Sequence, residues 1–148
     1  MDIHQLAEQG GLNQTLGIEL RELTPGRVVA TMPVTPRLHQ PLGYLHGGAS
    51  VALAETVASV GAFLHCPPGK VAFGQEINAN HLRPVHAGVL TAIGTPLHAG
   101  RTSHVWDVRI YDEAERLVCV SRCTVAIVDA ERRESGTGAN WDDPAPSG

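Results

Sequence analysis

The chain has 148 residues, of which 43% are hydrophobic and 18% charged, and its formal net charge at pH 7 is −4. This length fits one domain with a buried core, and the composition is that of a soluble globular protein rather than a disordered one. The longest basic run is the pair Arg132-Arg133. Nucleic acid and anionic membranes are therefore not expected as partners, because binding them requires clustered basic groups.

The amino-terminal segment predicts a short helix at about Asp2–Gln9 that ends at Gly10-Gly11. Its residues are acidic and polar, so it does not have the pattern of a signal peptide. The most apolar run of the chain, Ala49–Leu64, is interrupted by Glu55 and is shorter than the roughly 20 residues that a membrane span needs. We therefore expect a cytoplasmic protein.

Two extended segments follow, Ile18–Leu23 and Arg27–Val34, on either side of the turn signal Pro25-Gly26. Pro36–Gly43 contains two prolines and no periodicity, which predicts a loop. The alanine-rich segment Gly47–Leu64 predicts a helix that is apolar nearly all round and therefore buried.

Four further strands are predicted after this helix. In one of them Trp106, Val108 and Ile110 alternate with Asp107 and Arg109, which is typical of a strand with one buried and one wet face. Two strands, one buried helix and four strands fit an antiparallel sheet wrapped around a single central helix. The four strands are Val71–Leu82, Val89–Leu97, Thr102–Tyr111 and Leu117–Val128. We expect one domain over residues 1–130 and, from its Gly, Pro, Ser, Asp and Glu content, a flexible tail over residues 131–148.

The cysteines and histidines predict neither a disulfide framework nor a metal site. The three cysteines, Cys66, Cys119 and Cys123, include no C-x-x-C pair, and the eight histidines form no H-E-x-x-H pattern. Cys119 and Cys123 lie four residues apart in a predicted strand, so both should face the same side as small buried hydrophobes. No serine lies in a G-x-S-x-G context, which argues against a serine-triad hydrolase.

A single carboxylate, Glu55, lies inside the apolar helix. An unpaired buried charge is costly, so such a residue is usually paired, protonated or placed in a cleft for catalysis. The alternative is that Glu55 lies on the one wet stripe of the helix. Ser59 projects from the same face one turn later. The helix opens with His46-Gly47-Gly48, where free backbone N–H groups could bind an oxyanion.

The string Gln40–Ala49 (QPLGYLHGGA), followed by Ala52–Thr56 (ALAET), resembles the hotdog-fold thioesterases of the 4-hydroxybenzoyl-CoA (Arthrobacter-type) and enterobactin-proofreading group. The related phenylacetic-acid-degradation thioesterases carry aspartate where this chain has Glu55. The resemblance runs from roughly Gly17 to Val128. It implies an α+β hotdog fold and hydrolysis of an acyl-CoA or aroyl-CoA to the free acid and coenzyme A, without a metal or other cofactor.

The resemblance also implies a role for each residue of the motif. Glu55 would be the nucleophile or the general base at the thioester carbonyl. The Gly47 N–H would polarise the carbonyl oxygen, aided by the Gln40 side chain. His46 would order the loop and the thioester, and Ser59 would position the hydrolytic water.

Two strand-end segments resemble those that line the coenzyme A path in relatives. Arg83 and Arg101 are the candidate phosphate partners, although arginines at strand ends are often simply solvated charges. The residues expected to bind coenzyme A are Asn80, His81, Arg83, Arg101, Thr102 and Ser103.

The spacing of the motif predicts a site shared between subunits. Gly47 and Glu55 are eight residues apart, about 12 Å along a helix axis. Both cannot easily reach one thioester carbonyl, which requires reacting atoms about 3 Å apart. Two antiparallel copies of the helix around a two-fold axis would bring Glu55 of one chain near Gly47 of the other. The resemblance implies a homodimer or a homotetramer built as a dimer of dimers.

Two other functions remain open at this stage. A hotdog enoyl-CoA hydratase would need an Asp/His dyad on this helix, and the chain has no aspartate between Arg37 and His104. A non-catalytic acyl-CoA-binding module would use the same pocket, but the combination of Gln40, Glu55 and Ser59 would have no purpose in it. Thiol release would separate the module from an enzyme.

Overall fold

The computed structural model describes Gln5 and residues 10–130. These residues form two α-helices, a 3₁₀ turn and six strands. In chain order the elements are α1 Leu12–Leu16, β1 Glu19–Thr24, β2 Arg27–Pro33, the 3₁₀ turn Pro36–Leu38, α2 Gly47–Leu64, β3 Lys70–His81, β4 Val89–Ala99, β5 Ser103–Tyr111 and β6 Leu117–Asp129.

The six strands form one antiparallel sheet in the order β1-β2-β4-β5-β6-β3. Helix α2 packs against all six strands. Its face toward the sheet carries small side chains, so the helix lies close to the strands. This arrangement confirms the predicted α+β hotdog fold.

The core lies between α2 and the sheet. Leu53 and Val57 of α2 and Trp106 of β5 are fully buried, and burial of each such side chain contributes about 1.5–3 kcal/mol. Gly61 allows the close approach at the far end of the helix, because a Cβ there would lie only 2.6 Å from Cζ2 of Trp106. The indole therefore occupies the space that any larger residue at position 61 would need.

Most predicted elements are confirmed, with strand ends that differ by at most two residues from those expected. Trp106, Val108 and Ile110 are buried, whereas Asp107 and Arg109 form an ion pair of 3.2 Å on the other face. The buried Cys119 and Cys123 share one side of β6, and all three cysteines are free, as predicted.

Two local features differ from the sequence-based expectation. Helix α1 was not predicted, because five residues are too short to show helical periodicity. The expected loop Pro36–Gly43 contains a 3₁₀ turn and a bridge between His39 and Leu45. The predicted helix Asp2–Gln9, apart from Gln5, and the predicted tail 131–148 lie outside the described residues.

Helix α2 has 18 residues and a mean hydropathy of 1.4, so by length and composition alone it could cross a membrane. The apolar run counted in the sequence, Ala49–Leu64, begins two residues after the start of this helix. In the fold the helix lies against the sheet, with Leu53, Ala54, Val57 and Ala58 among its buried residues. It is the core helix of the domain.

Candidate active site

His46 caps the amino terminus of α2. Its backbone is extended, with φ −64° and ψ 129°, and its Nδ1 accepts a hydrogen bond from the Gly48 N–H at 2.8 Å. In the neutral ring the proton therefore lies on Nε2. The His46 N–H donates to the Leu38 carbonyl at 2.8 Å, which ties the start of the helix to the preceding 3₁₀ turn. The N–H of Gly47, by contrast, has no partner among the described residues.

Gln40 lies in the loop before α2, and the oxygen of its side-chain amide is hydrogen-bonded within that loop. Its Oε1 accepts a hydrogen bond from the Leu42 N–H, and its backbone N–H donates to the Tyr44 carbonyl at 2.7 Å. The side-chain NH₂ is thus directed away from the Leu42 contact and can donate elsewhere. Gln40 and Gly47 both line a cavity of about 370 Å³. This cavity contains two hydrogen-bond donors suited to a carbonyl oxygen or an oxyanion.

Glu55 lies in a second cavity, of about 320 Å³, together with the Ser59 hydroxyl. Both side chains are half-buried. Within the described part of the chain, the Glu55 carboxylate has neither an ion-pair partner nor a hydrogen-bond donor. It lies against Gly74, where a Cβ would be 3.2 Å from Cδ of Glu55. A half-buried carboxylate without a partner is suited to act as a base or a nucleophile.

The two cavities have no lining residue in common. Gly47 and Gln40 belong to the first cavity, whereas Glu55 and Ser59 belong to the second. Eight residues of helix, about 12 Å, separate Gly47 from Glu55. Within one protomer the donors and the carboxylate are therefore too far apart to act on the same carbonyl group.

The interior next to Glu55 holds a thiol in its neutral form. Burial raises the pKa of Cys123 to about 12, and the negative charges of Glu55 and Glu76 contribute to the increase. Thiolate is the reactive form of cysteine. Cys123 is therefore a packing residue and not a second nucleophile.

The residues expected to bind coenzyme A fall into two groups. His81 lies beside Gly47, where a Cβ would be 2.7 Å from Nε2 of His81, and Arg83 lines the same cavity. Asn80 is exposed at the end of β3, opposite Val120 of β6.

The second group, Arg101, Thr102 and Ser103, lies at the β4–β5 turn, where Ser103 pairs with Ala126. Val120 and Ala126 are six residues apart on β6, roughly 20 Å, so one protomer does not bring the two groups together. In the described chain neither Arg83 nor Arg101 has a carboxylate partner. Both remain available to a phosphate.

A histidine pair at the far end of α2 was not predicted from the sequence as a cluster. His104 is buried, with its ring 5.4 Å from that of His65, and His65 Nδ1 lies 2.9 Å from the Gly61 carbonyl. Nδ1 of His104 and Nε1 of Trp106 lack hydrogen-bond partners in the described structure. Burial is the main cause that lowers the pKa of His104, and the neighbouring His65 lowers it further.

Four residues around the two cavities were missed by sequence reasoning. Gly74, Asn13 and Thr56 contact or adjoin Glu55, and Tyr44 lines the first cavity. Of these four, Thr56 had a signal in the sequence, because it directly follows Glu55. Across the described ranges, no group of three or more His, Cys, Asp or Glu side chains could hold a metal ion.

Comparison with known proteins identifies the family of the chain. The thioesterase superfamily profile matches residues 42–119. The chain belongs to the thioesterase superfamily. It is 49% identical over 117 residues to a 1,4-dihydroxy-2-naphthoyl-CoA hydrolase of Listeria monocytogenes, covering 79% of this chain and 95% of the relative. A proofreading thioesterase of Cronobacter turicensis is 46% identical over 119 residues, covering 80% of this chain and 87% of the relative.

The fold of a solved thioesterase is also similar. The crystal structure of a Haemophilus influenzae thioesterase superimposes with a TM-score of 0.82 at 44% identity, over 89% of this chain and 92% of that chain. The family resemblance and the enzyme class, a thioester hydrolase, are thus confirmed.

Proposed function

We propose that this thioesterase hydrolyses acyl-CoA or aroyl-CoA substrates, with Glu55 as the nucleophile or general base of a site shared by two protomers. The observation that supports this most directly is the Glu55 carboxylate, which is half-buried, has no partner within the described residues, and lies in a cavity that also contains Ser59. A structural glutamate in an apolar helix would instead be expected to have a partner.

The reaction adds an oxygen nucleophile to the thioester carbonyl carbon. As a general base, Glu55 takes a proton from water held by Ser59 while the hydroxide oxygen bonds to the carbonyl carbon. As a nucleophile, Glu55 forms an acyl anhydride that water then cleaves. In both routes the C–S bond breaks, the sulfur leaves as the coenzyme A thiolate and takes up a proton, and the carboxylic acid is released.

The carbonyl oxygen gains negative charge in this step, and the first cavity contains the donors for it. The free N–H of Gly47 and the side-chain NH₂ of Gln40 would hydrogen-bond to that oxygen. Each donor of this kind contributes about 3–4 kcal/mol to stabilisation of the transition state. His46 has a positioning role, because it binds Gly48 and leaves the Gly47 N–H free.

A second protomer would bring the donors Gly47 and Gln40 of one chain to Glu55 of the other. Strand β3 is a 12-residue edge strand whose outer edge pairs with no other described strand, and such an edge is a template for pairing with another chain. The opposite edge strand, β1, has three charged residues among its six, Glu19, Arg21 and Glu22, and such charges disfavour pairing with another chain. Pairing through β3 would place Glu55 near Gly47 of the partner. A homodimer, or a homotetramer of two such dimers, is the proposed assembly.

The same arrangement would place the two coenzyme A-binding groups on different protomers of one site. Arg83 and Arg101 would bind phosphates, with Asn80, His81, Thr102 and Ser103 along the path. Coenzyme A is part of the substrate, so no further cofactor is proposed, and the proposed compartment is the cytoplasm. The hydrolase from Listeria makes 1,4-dihydroxy-2-naphthoyl-CoA a suitable test substrate.

Release of free thiol from a panel of aroyl-CoA and fatty acyl-CoA substrates tests the proposal. Wild type should turn over at least one substrate, and Glu55→Ala should lose about 100-fold or more of its kcat, as expected for a principal acid–base group. Glu22→Ala, which removes a surface glutamate on β1, is the matched control and should keep wild-type activity. Full activity of Glu55→Ala would exclude Glu55 as the catalyst.

A further inference from the structure

The cavity around Glu55 has a second wall that hydrolysis itself does not require. Helix α1 contributes Leu12 and Asn13 to this wall, and they line the cavity together with Glu55 and Ser59 of α2. Neither α1 residue has a part in moving a proton or in stabilising an oxyanion. The side chains of Leu12 and Asn13 can therefore contact a part of the substrate other than the thioester group.

Asn13 is held in this wall by Thr56, the residue that follows Glu55. Oγ1 of Thr56 lies 3.0 Å from Oδ1 of Asn13 and 2.8 Å from the carbonyl of Ala52. The single hydroxyl proton of Thr56 is shared between these two acceptors, and its contact with Oδ1 orients the Asn13 amide. The amide NH₂ has no hydrogen-bond partner among the residues that the structure describes, so it can donate to a molecule in the cavity.

The position of the reacting atoms determines which part of the substrate lies there. The carbonyl carbon must come within about 3–3.5 Å of the attacking oxygen beside Glu55. From that carbon the sulfur leads to the long pantetheine chain, which in the proposed site runs toward the coenzyme A-binding residues, and neither Arg83 nor Arg101 lines this cavity. The acyl group is thus the part that fits between α1 and α2. Leu12, Ala52 and Val60 form the apolar lining for its hydrocarbon portion.

We propose that Asn13 is a specificity-determining residue, whose amide, held by Thr56, donates a hydrogen bond to a polar substituent on the acyl group. This inference rests on the proposed function, because it takes the Glu55 cavity as the acyl site. An acyl group with a hydroxyl or carbonyl oxygen at that position satisfies the amide. A purely apolar group of the same size leaves the amide without a partner when water is excluded, which weakens binding.

Steady-state hydrolysis of benzoyl-CoA and its three ring-hydroxylated isomers tests the inference. Asn13→Leu keeps the size of the side chain and removes the donor. We expect wild type to prefer one hydroxylated isomer over benzoyl-CoA, and Asn13→Leu to lower kcat/KM for that isomer about tenfold through KM, the effect of one lost hydrogen bond. The ratio of kcat/KM for that isomer to kcat/KM for benzoyl-CoA should fall by the same factor.

Two further variants make the result specific. Thr56→Val removes the group that holds the amide and should reduce the same preference, and it tests the inference even if Asn13→Leu does not fold. Gln14→Leu changes an exposed amide on the same helix that does not line the cavity, and should leave the preference unchanged.

Two results would overturn the inference and leave the proposed function intact. One is a wild-type enzyme that hydrolyses all four substrates with equal kcat/KM. The other is an Asn13→Leu enzyme with the preference of wild type. Absence of thiol release by wild type from every acyl-CoA would instead contradict the proposed function, and the inference with it.

Discussion

The Glu55 carboxylate lies directly against the backbone of Gly74, where β3 crosses beneath helix α2. The pairing of β3 with β6 shifts register between Gly74 and Glu76, at the point where Gly74 meets the Glu55 carboxylate. A Cβ at position 74 would overlap Oε1 of Glu55 and lie 3.2 Å from its Cδ. The absence of a side chain at Gly74 therefore allows the observed position of the carboxylate.

Gly74→Ala should displace the carboxylate of Glu55 while leaving the fold in place. An error of about 1 Å in the position of a catalytic group can cost on the order of 100-fold in rate. We expect kcat to fall by about 10- to 100-fold and KM to change little. Steady-state kinetics with circular dichroism measures both effects. Gly26→Ala is the control, since a Cβ there meets no atom within 4 Å. Equal kcat values for the two variants would contradict this role of Gly74.

Subunit complementation tests whether the site is shared between protomers. Glu55→Ala and Gln40→Ala, each inactive as a homodimer, are denatured, mixed in equal amounts and refolded. If each site combines Glu55 of one chain with Gln40 of the other, half of the dimers are mixed and each has one intact site, so roughly a quarter of wild-type activity returns. Thiol release before and after mixing measures it. A mixture as inactive as its components would show that each site lies within one chain.

Removal of the histidine cap should destabilise the start of α2. His46→Ala loses the hydrogen bond from Gly48, and loss of an N-cap typically costs about 0.5–2 kcal/mol in the free energy of unfolding. Asparagine is among the best N-cap residues, so His46→Asn should restore most of that stability. Urea unfolding of the three proteins measures the difference. An alanine variant as stable as wild type would contradict the capping role.

The stability of the domain should decrease at mildly acidic pH because of His104. Its pKa in the folded protein is lowered by burial and by His65, while the unfolded value is about 6.5. The unfolded chain then binds more protons, so this contribution to stability is complete above about pH 6.5 and is lost as the pH falls through the lowered pKa.

Urea midpoints between pH 8 and pH 5 test this prediction. They should fall more steeply for wild type than for His104→Gln, which does not titrate in that range. The exposed His86→Gln is the control and should follow wild type. Parallel curves for wild type and His104→Gln would exclude His104 as the cause.

The buried cysteines should resist thiol reagents in the folded enzyme. Burial raises the pKa of Cys119, and it raises that of Cys123 to about 12, so almost no thiolate forms at pH 8. We expect the half-buried Cys66 to react first and the other two to react only after unfolding. Labelling followed by peptide mapping checks this order. Rapid modification of Cys123 in folded protein would be inconsistent with its buried position.

Periodicity along the chain was sufficient to predict most of the fold. Alternation around Trp106 and the apolar run that contains Glu55 report which faces are buried, and burial is a local property of each segment. The bounds of α2 and the succession of helix and strands along the chain followed from these patterns, whereas the order of the strands within the sheet was not predicted. Helix α1 did not, since a five-residue helix has too few turns to produce a periodic pattern.

The sequence alone was enough to determine the family, the central helix and the candidate catalytic residues, because these depend on short segments of the chain. Only the tertiary structure decided that Asn13 meets Thr56, that Gly74 lies against Glu55, and that the donors and the carboxylate line separate cavities. Asn13 and Thr56 are 43 positions apart. Such contacts depend on how the sheet curves around α2 and on where one bulge shifts the register of β3, and neither feature leaves a local pattern in the sequence.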